Sequence, residues 1–296
     1  MIFLEIKQLV SKFTVYQYMI YFLIALTLAS ASFYGFGIPA LIPVIIAVVT
    51  ATLLDFLVNY FKYKNVEFPQ SAFISGLLIG GLLSQNLQWY VYAAAGVIAI
   101  ASKHLIRFQQ KHIFNPAIIG ILFVSIIFGA SHTWWVSSPL FLVLIFGVFI
   151  IWRLRRFDLA LSFLIAYFAL SLIVAASAPI SCGMMKMECR MQANSASDIY
   201  YSIINGGVIY FFAMYMLTEP RTSPTARKQR IIYGVLVAVL LVIFSQYPKF
   251  YHNGLSVFFT KHDLPLALAI GNIFVPLLNK IKLGFGEKMQ NPETSL

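Results

Sequence analysis

The chain has 296 residues, of which 60% are hydrophobic and 10% charged, and its mean hydropathy is +0.83. A soluble domain carries roughly a quarter charged residues, so this composition excludes a solvated globular surface and directs the apolar surface toward lipid. The formal net charge of +11 would suggest nucleic acid in a soluble protein. Here the basic residues stand in short clusters between apolar runs, as in the cytoplasmic loops of membrane proteins, and no nucleic-acid partner is expected.

The expected elements are membrane helices. The first, 16–34, follows Lys7 and Lys12 and ends in "LASAS". It exceeds the apolar core of about 7–15 residues found in signal peptides, so it reads as a retained helix. Further apolar runs lie at 38–60, 71–86, 88–102, 115–131, 138–152, 158–178, 200–217, 230–247 and 262–279. Several fall short of the ~20 residues of a full span, which predicts tilted, broken or partly spanning helices.

The connections alternate in charge. Lys62 and Lys64 are followed by uncharged "SQNLQ"; Lys103, Arg107 and Lys111 by uncharged "SHTWWVSS"; and Arg153, Arg155 and Arg156 by the mixed loop 179–199. Arg221, Arg227, Lys228 and Arg230 come next. Basic connections remain in the cytoplasm, so about ten transmembrane helices in a bacterial-type cytoplasmic membrane, with both termini inside, satisfy the pattern. The expected architecture is one all-α integral membrane domain over 1–283, with a disordered cytoplasmic tail at 284–296. Halves of five spans, about 16–131 and 138–279, would have opposite orientations, the condition for an inverted repeat. "SAFISGLLIGG" with "YYSIINGGV", and "HIFNPAII" with "GNIFVPLL", are short echoes of one.

No span has a charge near its centre. Asp55 is the deepest, within about two turns of a basic helix end, where snorkelling or a cap would serve. That pattern argues against a self-contained proton-coupled carrier and leaves room for a pore for a neutral solute. His104, His112, His132, His252 and His262 are scattered without the spacing of a metal or haem site. Cys182 and Cys189 lie in a loop placed outside, where disulfides persist, and are expected to pair.

The stretch "YMLTEPRTSPT", Tyr215 to Thr225, interrupts this apolar chain. Pro220 stops the eighth helix. Ser223 and Pro224 read as N-cap and first residue of the ninth, as Asn115 and Pro116 do for the fifth. Helix starts also expose N–H donors suited to an anionic or carbonyl-rich ligand, so the stretch reads either as a capped turn or as the wall of a site. Gly76, Gly80 and Gly81, and Gly206 with Gly207, allow close helix approach or leave room for a flat ring system.

In order and spacing, "SAFISGLLIGGLL", "HIFNPAIIG" and "INGGVIYFFAMYMLTEPRTSPT" resemble the RnfD/NqrB family over about residues 35–283. Its members are flavin-carrying membrane subunits of the Rnf complex and of the sodium-translocating NADH:quinone oxidoreductase. The family's T-D-P reads Thr218-Glu219-Pro220 here. The resemblance implies two inverted five-helix repeats, like those of urea transporters. It also implies electron transport through bound flavin, FMN or riboflavin, of the kind such complexes couple to ion translocation. Ser75, Gly76, Asn115, Pro116, Glu219, Arg221, Thr222 and Ser223 then become candidate cofactor contacts.

In the family, FMN is esterified to the threonine of an S-G-A-T motif. The matching place is Asn194-Ser195-Ala196-Ser197, so Ser197 offers a hydroxyl while the motif's glycine is missing. With no dinucleotide fingerprint and no cysteine cluster for iron–sulfur, the chain would need partners: other subunits of a membrane redox complex and a soluble electron donor. A channel or facilitator for a small neutral solute, or a non-redox structural subunit on the same fold, are the readings the composition leaves beside this one.

Overall fold

A computed structural model of the chain describes residues 13–64, 66–109, 111–185, 207–250, 258–259 and 261–280, without the side chains of 175–185 and 246–250. The Cys182–Cys189 pairing, Ser197 and the 284–296 tail lie outside this description. Within it are ten helices: α1 (Val15–Phe33), α2 (Leu41–Tyr63), α3 (Gln70–Leu82), α4 (Trp89–Leu105), α5 (Pro116–Phe128), α6 (Leu140–Leu154), α7 (Phe157–Met185), α8 (Gly207–Phe211), α9 (Arg227–Phe250) and α10 (Asp263–Lys280). Each corresponds to one of the ten runs expected from the sequence. A two-residue hairpin, β1 (Arg107–Phe108) with β2 (Lys111–His112), joins α4 to α5, and a π turn (Phe212–Met216) continues α8.

Four segments are long and apolar enough to cross a bilayer: Val15–Phe33, Ile38–Tyr63, Phe157–Val174 and Arg227–Ser245. On α2 the pattern is inside out relative to a soluble helix. Ile42, Ile45, Val49 and Leu53 form an exposed stripe at helical spacing, while Val44, Ala47, Ala51 and Asp55 occupy the buried one. Branched apolar side chains thus face outward and mostly small residues face the neighbouring helices.

The helices α3 and α5 have 13 residues each, a rise of only ~20 Å. Both are buried over most of their surface, as expected of helices enclosed by others. Packing of α3 is close enough to require glycine. A Cβ at Gly76 would strike the Val48 backbone, and one at Gly80 the Val44 backbone, both on α2. Gly81 faces Val136, and Gly207 faces the Ser137 carbonyl. These glycines therefore serve helix approach.

Basic connections meet one another, and so do uncharged ones. Residues from the α2–α3 connection, the end of α4, the hairpin and the loop before α9 line one cleft, which defines a basic face. At the other end of α3, the Thr133 and Trp134 N–H groups donate to the Leu82 carbonyl (2.9 and 3.1 Å) and the Trp135 indole donates to Gly80 O (3.0 Å). These bonds satisfy the carbonyl end of the short α3 within the protein. His132 and buried His262 lie nearby, ring centroids 6.1 Å apart.

One measurement checks this packing. Gly80→Ala should lower stability in detergent by about 1–3 kcal/mol, the range for overpacking, read as a lower thermal midpoint.

Candidate functional site

Two adjoining recesses open among the helix ends of the basic face. The inner one, about 400 Å³, is lined mainly by apolar groups, with Tyr16 and Met19 of α1, Ile74 and Leu78 of α3, and Tyr215 after α8 among them. Ser75, Asn115, Pro116, Thr218 and Glu219 supply its rim and corners. The outer one is a polar cleft of about 680 Å³ that includes Lys103, Arg107, His112 and Arg221. Tyr16 and Ser71 belong to both walls.

The sequence candidates divide among these places. Ser75, Asn115, Pro116 and Glu219 meet at the inner cavity, and Arg221 lines the outer cleft. Gly76 is used in packing against α2. Buried Thr222 and Ser223 stand behind the cavity wall. The Thr222 hydroxyl donates to Glu219 Oε2 (3.1 Å), and the Ser223 hydroxyl donates to Glu219 O (2.6 Å).

Asn115 caps α5 as expected, its side chain accepting from the Ile118 N–H at 3.3 Å. Ser223 does not cap the ninth helix: α9 begins at Arg227. Instead, half-buried Arg156 donates from Nη1 to Ser223 Oγ (2.9 Å) and Pro224 O (2.8 Å). A cation satisfying these groups keeps the loop folded down beside the cavity instead of winding it into helix. Burial, helped by nearby Arg230, lowers Arg156 to about 10, so it stays charged at neutral pH.

One buried amide joins both motif-bearing segments. Asn272 of α10 is fully enclosed. With its amide oriented to satisfy both ends, Oδ1 accepts from the Asn115 N–H (3.1 Å), while Nδ2 donates to Tyr233 Oη (2.6 Å) and Thr222 O (3.3 Å). The start of α5 and the EPRTSP loop are thereby held at a fixed separation across the cavity.

The rim has a definite hydrogen-bonding sense. Ser75 Oγ donates to Ser71 O (3.0 Å) and Thr218 Oγ1 donates to Met214 O (2.6 Å). A hydroxyl that has spent its proton is an acceptor toward anything else. Glu219 adds a carboxylate steadied by Thr222 and by His112 Nε2 (3.4 Å), which the β hairpin folds back toward it. A flat, largely apolar ligand with N–H groups on one edge suits this lining, and the volume lies within the range of small-molecule pockets.

Asp55 departs from its expected role. It neither snorkels nor caps: its side chain is 1% exposed. Lys103 Nζ reaches its Oδ2 at 2.8 Å and His104 Nε2 its Oδ1 at 2.7 Å, both from α4. Lys103 Nζ also donates to Ser71 Oγ at 2.8 Å. The signal was present in the sequence, since Ala47, Ala51 and Asp55 recur every four residues on the small-residue face of α2. The parts played by Tyr16, Tyr215 and Asn272 depend on tertiary contacts and carry no such local mark.

Comparison with known proteins fits this frame. The model of the NQR2, RnfD, RnfE family matches residues 7–139 and again 137–283. The chain belongs to that family. It is 32% identical over 117 residues to the D subunit of the proton-translocating ferredoxin:NAD(+) oxidoreductase complex of Clostridium ljungdahlii, an alignment covering 38% of this chain and 35% of that protein. Over longer alignments it is 20% identical to the D subunit of the ion-translocating oxidoreductase complex of Actinobacillus succinogenes, covering 83% and 86% of the two chains. It is 22% identical to the protein of the same name from Methanosarcina acetivorans, covering 83% of each.

Replacing Asn272 by Ala would strand the Asn115 N–H, the Thr222 carbonyl and the Tyr233 hydroxyl. At ~1–3 kcal/mol for each unsatisfied buried group, its thermal midpoint should fall well below that of Asn279→Ala. The latter loses one exposed bond, to the Thr225 N–H.

Proposed function

We propose that this protein is the D-type membrane subunit of an ion-translocating oxidoreductase complex, and that it passes electrons through a flavin held in the inner cavity. The observation that carries this reading is the cavity itself: an apolar slot with an acceptor-rich rim, assembled from the segments that match the family's motifs. When bound, flavin supplies one- and two-electron transfer. Glu219 would accept from the single ring N–H of oxidised flavin and the Asn115 side-chain amide nitrogen would donate to a ring carbonyl beside it, with Tyr16, Ile74, Leu78 and Tyr215 against the ring. Riboflavin or FMN would fit the same slot, and Ser197 is the proposed acceptor if FMN is also esterified to the chain.

The remaining features follow the same proposal. The basic face lies in the cytoplasm with both termini, and residues 16–131 and 138–279 are inverted repeats within one domain. Cys182 and Cys189 form an external disulfide. Electrons come from a soluble donor through other members of the complex, since the chain carries no dinucleotide fingerprint or iron–sulfur ligand set in its sequence.

The test is flavin content. Protein purified in mild detergent should release flavin on denaturation. Ser75→Leu, which fills the slot, should lower the noncovalent content at least about tenfold, the equivalent of 1.4 kcal/mol, while leaving the thermal midpoint in place. A band fluorescing under ultraviolet light in a denaturing gel, absent from Ser197→Ala, would report esterified FMN separately. Colourless wild-type protein with neither signal, together with solute flux in proteoliposomes, would overturn the redox reading in favour of a channel.

A further inference from the structure

The Asp55 network is not needed to shape the proposed ligand's rim; all four of its members touch the outer cleft, and Ser71 alone also reaches the inner cavity. Its members come from three helices: Asp55 from α2, Ser71 from α3, and Lys103 and His104 from α4. One end is the His104 ring in the cleft wall, with Nδ1 buried and unpartnered and Nε2 on Asp55 Oδ1 at 2.7 Å. Asp55 Oδ2 accepts from Lys103 Nζ at 2.8 Å, and the same ammonium donates to Ser71 Oγ at 2.8 Å. Ser71 reaches the wall of the inner cavity. The result is an unbroken hydrogen-bonded chain from polar cleft to apolar cavity.

From this geometry we propose that His104, Asp55, Lys103 and Ser71 form a proton path serving reduction in the inner cavity. The inference rests on the redox reading above. Reduction by two electrons from an iron–sulfur or flavin carrier of a partner protein consumes at least one proton, and apart from Glu219 the described residues of the cavity lining hold no carboxyl, imidazole or ammonium to supply it. When the His104 imidazole turns Nδ1 out toward the cleft, a proton enters there as Nε2 releases one to Asp55 Oδ1. The Asp55 carboxyl gives one to Lys103 Nζ, which has passed one to Ser71 Oγ, and the Ser71 hydroxyl proton leaves into the cavity. One proton enters and one leaves; rotation of the imidazole and the carboxyl restores the starting state.

An imidazole suits the first position because it accepts on one nitrogen while releasing from the other. The charged groups facing the cleft end are Glu67 from the α2–α3 connection, Arg107 and His112 from the hairpin region, and Arg221 from the EPRTSP loop. A mere staple between helices is the competing account, and ion pairs buried for that purpose contribute little net stability. Ionisable groups at membrane depth more commonly mark a pathway.

The experiment uses the assembled complex carrying either the wild-type chain or His104→Gln, whose amide keeps the hydrogen bond but relays no proton. Flavin content is measured first. Stopped-flow mixing with reductant then follows flavin absorbance for electron arrival and a pH-indicator dye for proton uptake from the medium. In the flavin-replete variant, electron arrival should stay unchanged while proton uptake slows at least ~10-fold, below the ~10²–10⁴ that positioned proton transfer contributes. Formate or azide, small weak acids able to carry a proton into the cavity, should restore it.

Asp55→Asn, made with Lys103→Met to avoid a stranded ammonium, should show the same pattern. Unchanged proton uptake at full flavin content would overturn the proton path and leave the flavin reading standing. Slow uptake that weak acids do not restore, with a lowered thermal midpoint, would assign the network to structure. Wild-type complex in which this chain holds no flavin would overturn the redox reading and the path with it.

Discussion

The side chain of Asn272 sets the geometry on which the cavity depends. Its amide meets a donor at the start of α5, an acceptor in the EPRTSP loop and the hydroxyl of Tyr233 on α9. An amide in an apolar interior has no water to fall back on, so each of these bonds fixes the others. Shifting α10 would break contact with both motif segments together, which couples the two walls of the cavity as one unit. Arg156 supplies the complementary restraint from the α6–α7 junction, holding Ser223 and the Pro224 carbonyl.

The same need to satisfy polar groups governs the charges. Asp55 is answered by Lys103 and His104, and Asp158 by Arg230 at 2.7 Å. Glu219 is held by Thr222 and His112. Each of these buried or half-buried acids has a partner from another segment, and the excess basic charge is left to the ends of the helices. Each acid needs such a partner, because an unpaired carboxylate at this depth would be far costlier than a displaced apolar contact.

Much of this was legible in the chain. Ten apolar runs became ten helices because lipid removes the ambiguity of amphipathic patterning: a run of apolar residues must close its backbone bonds within itself. Asn115–Pro116 announced a helix start through local chemistry, and the glycine spacing announced close packing. What escaped was non-local. Ser223 before Pro224 has every local mark of a cap, yet a guanidinium arriving from Arg156 outcompetes the helix. Asp55 has the local marks of a helix-end residue, since Lys62 follows it on the same helix. Its partners lie nearly fifty residues away on α4. The π turn after α8, which brings Tyr215 and Thr218 into the cavity wall, likewise has no sequence signature.

The two short enclosed helices have an electrical consequence. With 13 residues each, α3 and α5 have a rise of ~20 Å against the ~30 Å hydrocarbon thickness; α3 is enclosed by its neighbours, while Phe123, Ile126, Ile127 and Phe128 of α5 face outward. Where water reaches the polar connections at their two ends, the membrane voltage falls across that shorter length. A unit charge crossing it still exchanges ~2.3 kcal/mol per 100 mV, but over about two-thirds of the distance, so the local field is about half again as strong. Under that condition the short helices act as a lens for the transmembrane field, focused beside the cavity.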